Sequence, residues 1–395
     1  MKFFTALAGF LIYVLISHLL GAFGRGQQYL ILLNINILLY VLTLLGNSTL
    51  VYLTPRKSFS EIFIPSILFS AVVSIILLPI ISFIPGLNSI YPLQIVGLTF
   101  LASITEINYY VLLGKQEVNK SNYLKLIYPA TNIIIVLLWW ALGEFDSISK
   151  YVFSLWLAYI LSAVYGIYLL KDEYKSLHLL SKEEFRYITK ILFRLGAVKQ
   201  LGSIAQMLNY RISSWIFVFV FANEGVKMSG IYGNSTSICE SVLLFGTSLA
   251  LVQYSSLSNT QSNEQAKKLT LKMTGVNVLF TLLAFLVLCL LPSEFWILLF
   301  GKEFANIGHY IRILTIGYMF LSTTSNITQY FASRGNFSIT ASASFLGLIV
   351  TAVLCYFLIP IYKIEGAAYS AICSYIITFL VEFIFFLKWI KKKNI

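Results

Sequence analysis

Charge is what this 395-residue chain has least of: Asp, Glu, Lys and Arg make up 11% of it and hydrophobic residues 58%. Soluble domains carry about 25% charged residues, so the polar surface that water demands is missing. Histidine is limited to three residues, and Cys239, Cys289, Cys355 and Cys373 sit in apolar stretches without CxxC spacing. That excludes a disulfide framework and a Cys/His metal centre, and no metal site is expected. Alternating ten-residue strands are absent, which excludes a membrane β-barrel. There is no GxxxxGK[ST] loop and no soluble stretch long enough to house an ATPase domain.

What is present is a succession of apolar runs of about 20 residues, the length a helix needs to cross ~30 Å of hydrocarbon. They fall near 2–21, 28–53, 62–84, 92–113, 124–142 and 151–170, then near 198–221, 229–255, 271–291, 308–332, 338–360 and 367–387. The expected fold is all-α integral membrane, with about 12 transmembrane helices. The first run lacks a small-residue cleavage site and is read as a retained helix. Most of the basic residues fall in every second loop: Lys2; Arg56 and Lys57; Lys115, Lys120 and Lys125; those of 171–199; Lys267, Lys268 and Lys272; Arg334; and Lys388 to Lys393. The opposite loops hold Arg25, Lys150, Lys227, Lys302 and Lys363. This is the positive-inside pattern, so both termini are expected in the cytoplasm, and the net charge of +12 implies no nucleic-acid partner.

The one sizeable hydrophilic segment, Lys171–Lys190, falls at the midpoint. It divides the chain into an N-terminal six-helix lobe (1–176), an amphipathic linker (177–190) and a C-terminal six-helix lobe (191–395). Leu177, Leu179, Leu180, Phe185 and Ile188 recur among charges at near-helical spacing, as in a helix lying on the cytoplasmic membrane surface; a solvated linker is the alternative. The halves echo each other. Gly24-Arg25-Gly26-Gln27-Gln28-Tyr29 is answered by Gly225-Val226-Lys227 through Tyr232, and Tyr110 to Lys115 by Tyr330 to Gly335. An internal repeat of two parallel lobes is therefore expected. On that alignment the first lobe starts about ten residues short, which suggests a shorter first helix or an upstream start.

Several stretches carry a family likeness: Leu20 to Gly26, Leu195-Gly196, Asn209-Tyr210-Arg211, Gly230-Ile231-Tyr232, Phe300-Gly301-Lys302-Glu303-Phe304, and Ile359-Pro360 through Gly366-Ala367-Ala368. With them the chain resembles, over nearly its whole length, the oligosaccharide flippases of the O-antigen (Wzx-type) and polysaccharide-export branch of the multidrug/oligosaccharidyl-lipid/polysaccharide exporter superfamily. The resemblance implies two six-helix bundles that move an undecaprenyl-diphosphate-linked oligosaccharide, an O-antigen or capsule repeat unit, across the bacterial inner membrane by alternating access. It also implies membrane lipids and a polysaccharide polymerase as partners, and no cofactor. Many such proteins have an acidic residue two positions after the Arg of the seventh span. This chain has Ser213 there, so an ion-coupling role does not carry over to that position.

An ionisable group in mid-membrane costs roughly 3 kcal/mol on insertion scales, which makes each one a functional candidate. Arg211 lies mid-span, where a guanidinium can grip a diphosphate with two teeth or pair with a neighbouring carboxylate. Arg25, between two glycines at the end of the first span, either meets the head group outside or is an ordinary interfacial Arg. Glu240, in the adjoining span, is a charge partner for Arg211 or a site for a coupling ion, H+ or Na+; Glu106 is the corresponding candidate in the first lobe, and Glu382 lies in the twelfth span. Asn209, Asn34 and Gln253 offer amides to sugar hydroxyls, or glue helices together. His18, His178 and His309 have no metal-ligand spacing.

Two rivals remain. A drug or cation antiporter of the same superfamily should concentrate carboxylates in its first lobe, where only Glu106 is found within a span. A polysaccharide polymerase should present a large external loop or a carboxylate pair, and the longest expected external loop runs only from about Pro292 to Ile307.

Overall fold

The computed structural model describes residues 2–81, 91–258 and 263–392. Among the described residues every regular element is helical and no strand occurs. Hydrocarbon offers no water to bond backbone groups, so an apolar chain of this composition satisfies them within helices. Among the described residues, eight helices are long and apolar enough to cross a bilayer. Residues 82–84, expected to end the third span, and Lys393 lie outside the described residues.

Three helices are far longer than a bilayer is thick: α1 (Lys2–Leu42), α8 (Lys182–Ser258) and α12 (Phe337–Lys392). Each is broken by one residue of left-handed φ: Gly21 (φ 64°), Ala222 (φ 48°) and Lys363 (φ 52°). At each break the chain doubles back. The Arg25 guanidinium lies 4.1 Å above the Tyr13 ring, although twelve residues of straight helix would separate them by about 18 Å. Ser229 Oγ donates to the Ser214 carbonyl at 3.3 Å, and Ser374 Oγ to that of Gly347 at 3.0 Å. A β-carbon on Gly225 would strike the Phe217 carbonyl, and one on Gly366 the Leu358 carbonyl, so these positions require glycine. The loops expected at 22–27, 222–228 and 361–366 thus shrink to one-residue turns. Helix continues almost to the break because it leaves the fewest backbone groups unpaired.

The expected second span differs in another way. Helix α1 ends at Leu42, and a short α2 (Thr49–Leu53) follows an irregular stretch. Asn47 organises the break, its Oδ1 accepting from Thr49 N at 2.9 Å and Thr49 Oγ1 at 2.7 Å. Ser66 and Ser70 of α3 (Phe59–Ile80) donate to the freed carbonyls of Leu45 and Leu42, at 3.0 and 2.8 Å.

The chain divides into two compact units, Met1–Ile204 and Ala205–Ile395. In the first, α4 (Pro92–Gly114) packs against α1, α3 and α6 (Ile148–Leu169), and α5 (Val118–Ala141) against α6. Its core joins Leu50, Phe63, Ile107, Leu112, Ile188 and Leu192. The last two belong to the N-terminal part of α8, so the unit takes in residues 177–204. Between α6 and α8 lies the one-turn α7 (Lys171–Lys175), and residues 177–181 are not helical. This segment is strapped down. Tyr174 Oη donates to Asn108 Oδ1 at 2.9 Å, His178 N donates to Ser60 Oγ at 3.1 Å, and Lys115 pairs with Glu173. Burial pushes the Tyr174 hydroxyl up to about 12, so it remains a donor.

In the second unit, α11 (Ile307–Ser333) packs against α12 and against α9 (Asn263–Leu290). A short α10 (Ser293–Phe300) and a single 3-10 turn (Lys302–Phe304) complete it. Both units turn large apolar side chains outward, Ile75, Phe219, Val287 and Phe357 among them, as lipid contact allows and water does not.

Candidate functional site

In the second unit Arg211 sits eleven residues before the turn at Ala222, or roughly 16 Å along the helix. Its Nη2 donates to Glu240 Oε2 at 2.7 Å, with the two side chains 17% and 34% exposed. The doubling back of α8 is what brings these charges together. A wall of tyrosine stands beside them: Tyr318 Oη lies 3.5 Å from Glu240 Oε1, and the Tyr318 and Tyr210 rings both meet Tyr375 edge-on at 5.6 Å. The result is an accessible ion pair against rigid rings, a surface able to hold an anion beside a flat or hydroxylated group.

Asn209, two residues away, is buried. Its Oδ1 accepts from Thr351 at 2.5 Å and Ser374 at 2.8 Å. Gln253 belongs to a chain of amides linking α8, α9 and α11. Its Nε2 reaches Thr270 at 3.3 Å and the Asn326 carbonyl at 3.0 Å, Asn326 donates back to its Oε1 at 2.6 Å, and Asn277 donates to Asn326 Oδ1 at 2.7 Å. Glu382 is buried in α12 and accepts from Thr328 at 2.8 Å.

In the first unit Arg25 lies four residues past the turn at Gly21. It is 1% exposed, stacked on Tyr13 and Tyr29, and donates to Gln28 Oε1 at 2.9 Å. Asn34 is buried in α1. Glu106 pairs with Lys125 of α5, whose ammonium lies 4.5 Å above the Tyr109 ring. The carboxylate lines a cavity of about 180 Å³ with Asn36, Tyr40, Asn47, Tyr110 and Gln200. No group of three His, Cys, Asp or Glu side chains able to hold a metal is found among the described residues.

Sequence reading missed Tyr40 and Tyr110 of this cavity, Lys125 as the partner of Glu106, and Tyr318 and Tyr375 of the tyrosine wall. Lys125 reads as one more cytoplasmic charge, because nothing in its own neighbourhood reveals that it reaches Glu106. The tyrosines are lost among 25 in the chain.

No protein-family model matches the chain. It is 27% identical over 284 residues to an uncharacterized membrane protein of Methanocaldococcus jannaschii, an alignment covering 67% of this chain and 65% of that protein. Among solved structures it resembles the lipid II flippase MurJ in an inward closed conformation, with TM-score 0.77, 17% identity, and 98% and 86% of the two chains covered. An inward-facing MATE-family multidrug resistance transporter of the MOP superfamily superposes with TM-score 0.75 at 13% identity, covering 99% of this chain and 96% of that one. A MOP superfamily transporter of Pyrococcus furiosus gives 0.67 at 13% identity, over 98% and 93% of the chains. The chain is a multi-pass membrane protein with the fold of the MOP superfamily transporters.

Proposed function

We propose that this protein is a flippase that carries an undecaprenyl-diphosphate-linked oligosaccharide from the cytoplasmic to the outer face of a bacterial cytoplasmic membrane by alternating access. In this reading the chain crosses the membrane twelve times, with both termini in the cytoplasm and two lobes related by a repeat. Three hairpins supply six crossings and α3, α4, α5, α6, α9 and α11 the rest. The observation that carries the reading is the accessible Arg211 in mid-helix beside a tyrosine wall. A guanidinium there suits a diphosphate, and the rings suit a sugar. The likeness of fold to a lipid II flippase supports a lipid-linked cargo.

A second reading, a cation antiporter, is favoured by the cavity holding Glu106, Tyr40 and Tyr110 in the first unit. Deleting the gene in its host and quantifying lipid-linked oligosaccharide and surface polysaccharide separates the two. Accumulation of complete lipid-linked repeat units with loss of surface polymer is expected, and mass spectrometry of the extract identifies both carrier and sugar. Unchanged levels of both, with new sensitivity to cationic drugs, would transfer the assignment to antiport through Glu106.

A further inference from the structure

The Arg211 site already contains an anion, the Glu240 carboxylate at 2.7 Å. A ligand that binds the guanidinium must therefore compete with a group that is always at hand. We propose that Glu240 is a displaceable internal counter-anion that restricts the site to ligands bearing a phosphate or diphosphate of two or more negative charges. This inference rests on the reading of Arg211 as the anion-binding residue.

Three observations carry it. First, the pair is not sealed in the unit's interior: Glu240 is the more exposed partner, at 34% against 17%, so the group that has to leave is the one with room to do so. Second, Glu240 has a place to go. Its other oxygen, Oε1, lies 3.5 Å from the Tyr318 hydroxyl, long for a hydrogen bond as it stands and able to shorten once the carboxylate turns from Arg211. Tyr318 is itself buried, held edge-on by Tyr375 and tilted against Phe285, so this donor stays in position while Glu240 moves. Third, no other cation forms an ion pair with Glu240 among the described residues, so leaving Arg211 is not compensated by a second salt bridge and has to be driven by the ligand.

The selectivity follows from charge. A carboxylate ligand offers Arg211 the same charge and the same two-oxygen geometry as Glu240, so its exchange gains nothing. A diphosphate brings more charge and several oxygens placed for two-toothed contact, and exchange favours it. Neutral and cationic ligands have nothing to offer the guanidinium. Glu240 thus acts against the wrong ligand rather than for the right one. It also aids release, because the carboxylate waiting at Tyr318 re-pairs with Arg211 as the ligand departs.

The test uses the full-length protein in nanodiscs of phosphatidylcholine, with calorimetric titration of inorganic pyrophosphate and, separately, of acetate. Wild type is expected to bind pyrophosphate and to ignore acetate. Glu240→Gln, which keeps the shape and removes the charge, is expected to bind pyrophosphate roughly five-fold or more tightly and to admit acetate. Glu240→Asp keeps the charge and serves if the Gln variant fails to fold. Its shorter reach should weaken the internal pair and give a smaller gain of the same sign. Tyr318→Phe, which takes away the waiting donor, should lower pyrophosphate affinity. Weaker pyrophosphate binding in Glu240→Gln or Glu240→Asp, with binding still lost in Arg211→Ala, would overturn the counter-anion role and leave the Arg211 reading standing. Undiminished binding in Arg211→Ala would remove that reading and this inference with it.

Discussion

The two units begin alike and then place their arginines differently. Gly21 and Ala222 both turn the chain within one residue, and each lies three residues before a glycine, Gly24 and Gly225. Counting from those turns, Arg25 has Val226 as its counterpart, and Arg211 has Phe10. The first unit buries its arginine, Arg25, against tyrosine rings. The second leaves its own accessible and partnered by a carboxylate. The turns the two units have in common therefore do not assign the chemistry, which lies at positions where the units differ.

The largest expected effect tests that contrast. On the proposed function, Arg211→Ala should lower export of the lipid-linked cargo by roughly 10- to 100-fold at unchanged protein level, the scale of a hydrogen bond to a charged group, and Arg211→Lys should retain part of it. Arg25→Ala should act on folding instead. It removes a buried cation stacked on Tyr13, an interaction worth about 2 kcal/mol when desolvated, so membrane protein level and melting temperature should fall while transport per molecule survives. Export assays normalised to immunoblots separate the two outcomes, and equal loss per molecule in both variants would end the distinction between the units.

The turns come next. Gly225→Ala sets a methyl group against the Phe217 carbonyl, a backbone atom that cannot swing aside, and the cost should exceed about 3 kcal/mol. Gly366→Ala meets the Leu358 carbonyl in the same way. Gly275→Ala, where a β-carbon meets nothing within 4 Å, serves as the control in one helix. Fluorescence-detected size exclusion after heating should show early loss of the monodisperse peak for the first two variants only.

The membrane class, the helical architecture and the approximate position of most helices were legible because composition and run length act locally. The pairing of Arg211 with Glu240 was open as one of two readings, since adjoining spans make it reachable. What sequence could not show were contacts between side chains far apart in the chain: Tyr174 with Asn108, His178 with Ser60. For that reason residues 177–190 read as an amphipathic helix on the membrane surface or a solvated linker, with no sign of the contacts that His178, Ile188 and others of them make within the first unit. The one-residue turns were hidden for a different reason. Only Gly21 of the three is a glycine, and nothing in the composition around Ala222 or Lys363 announces left-handed backbone. Asn209 and Gln253 were found as polar groups but not as members of hydrogen-bonded networks, because donor and acceptor partners are set by packing.

The strap on the first unit gives a middle-sized effect. Tyr174→Phe deletes the hydrogen bond to Asn108, a residue with no exposed surface whose Nδ2 already has no partner. Leaving the amide oxygen unpaired as well should cost about 1–3 kcal/mol. Hydrogen exchange should then rise over residues 171–181 and stay unchanged in α9 and α11. Uniform change across both units would show that the strap does not act locally.

The smallest effect belongs to the start of α8, where Ser181 and Glu184 form a capping box: Ser181 N donates to Glu184 Oε2 at 2.9 Å, and Glu184 N to Ser181 Oγ at 3.2 Å. The hydrogen bond from the Ser181 backbone holds the Glu184 carboxyl below the usual carboxylate range. A folded-state value below the unfolded one means that the cap contributes fully above the ordinary Glu value and is lost as pH falls through the lowered one. Glu184→Gln should therefore lower the melting temperature slightly at neutral pH and leave it unchanged once the medium is acidic enough to protonate the carboxyl in wild type. Both side chains face solvent, so added salt should shrink the difference further. A Glu184→Gln deficit that grew towards acid pH would mean that the box works against the helix start, and that the strap and the Ile188 and Leu192 contacts alone hold this end of α8 on the first unit.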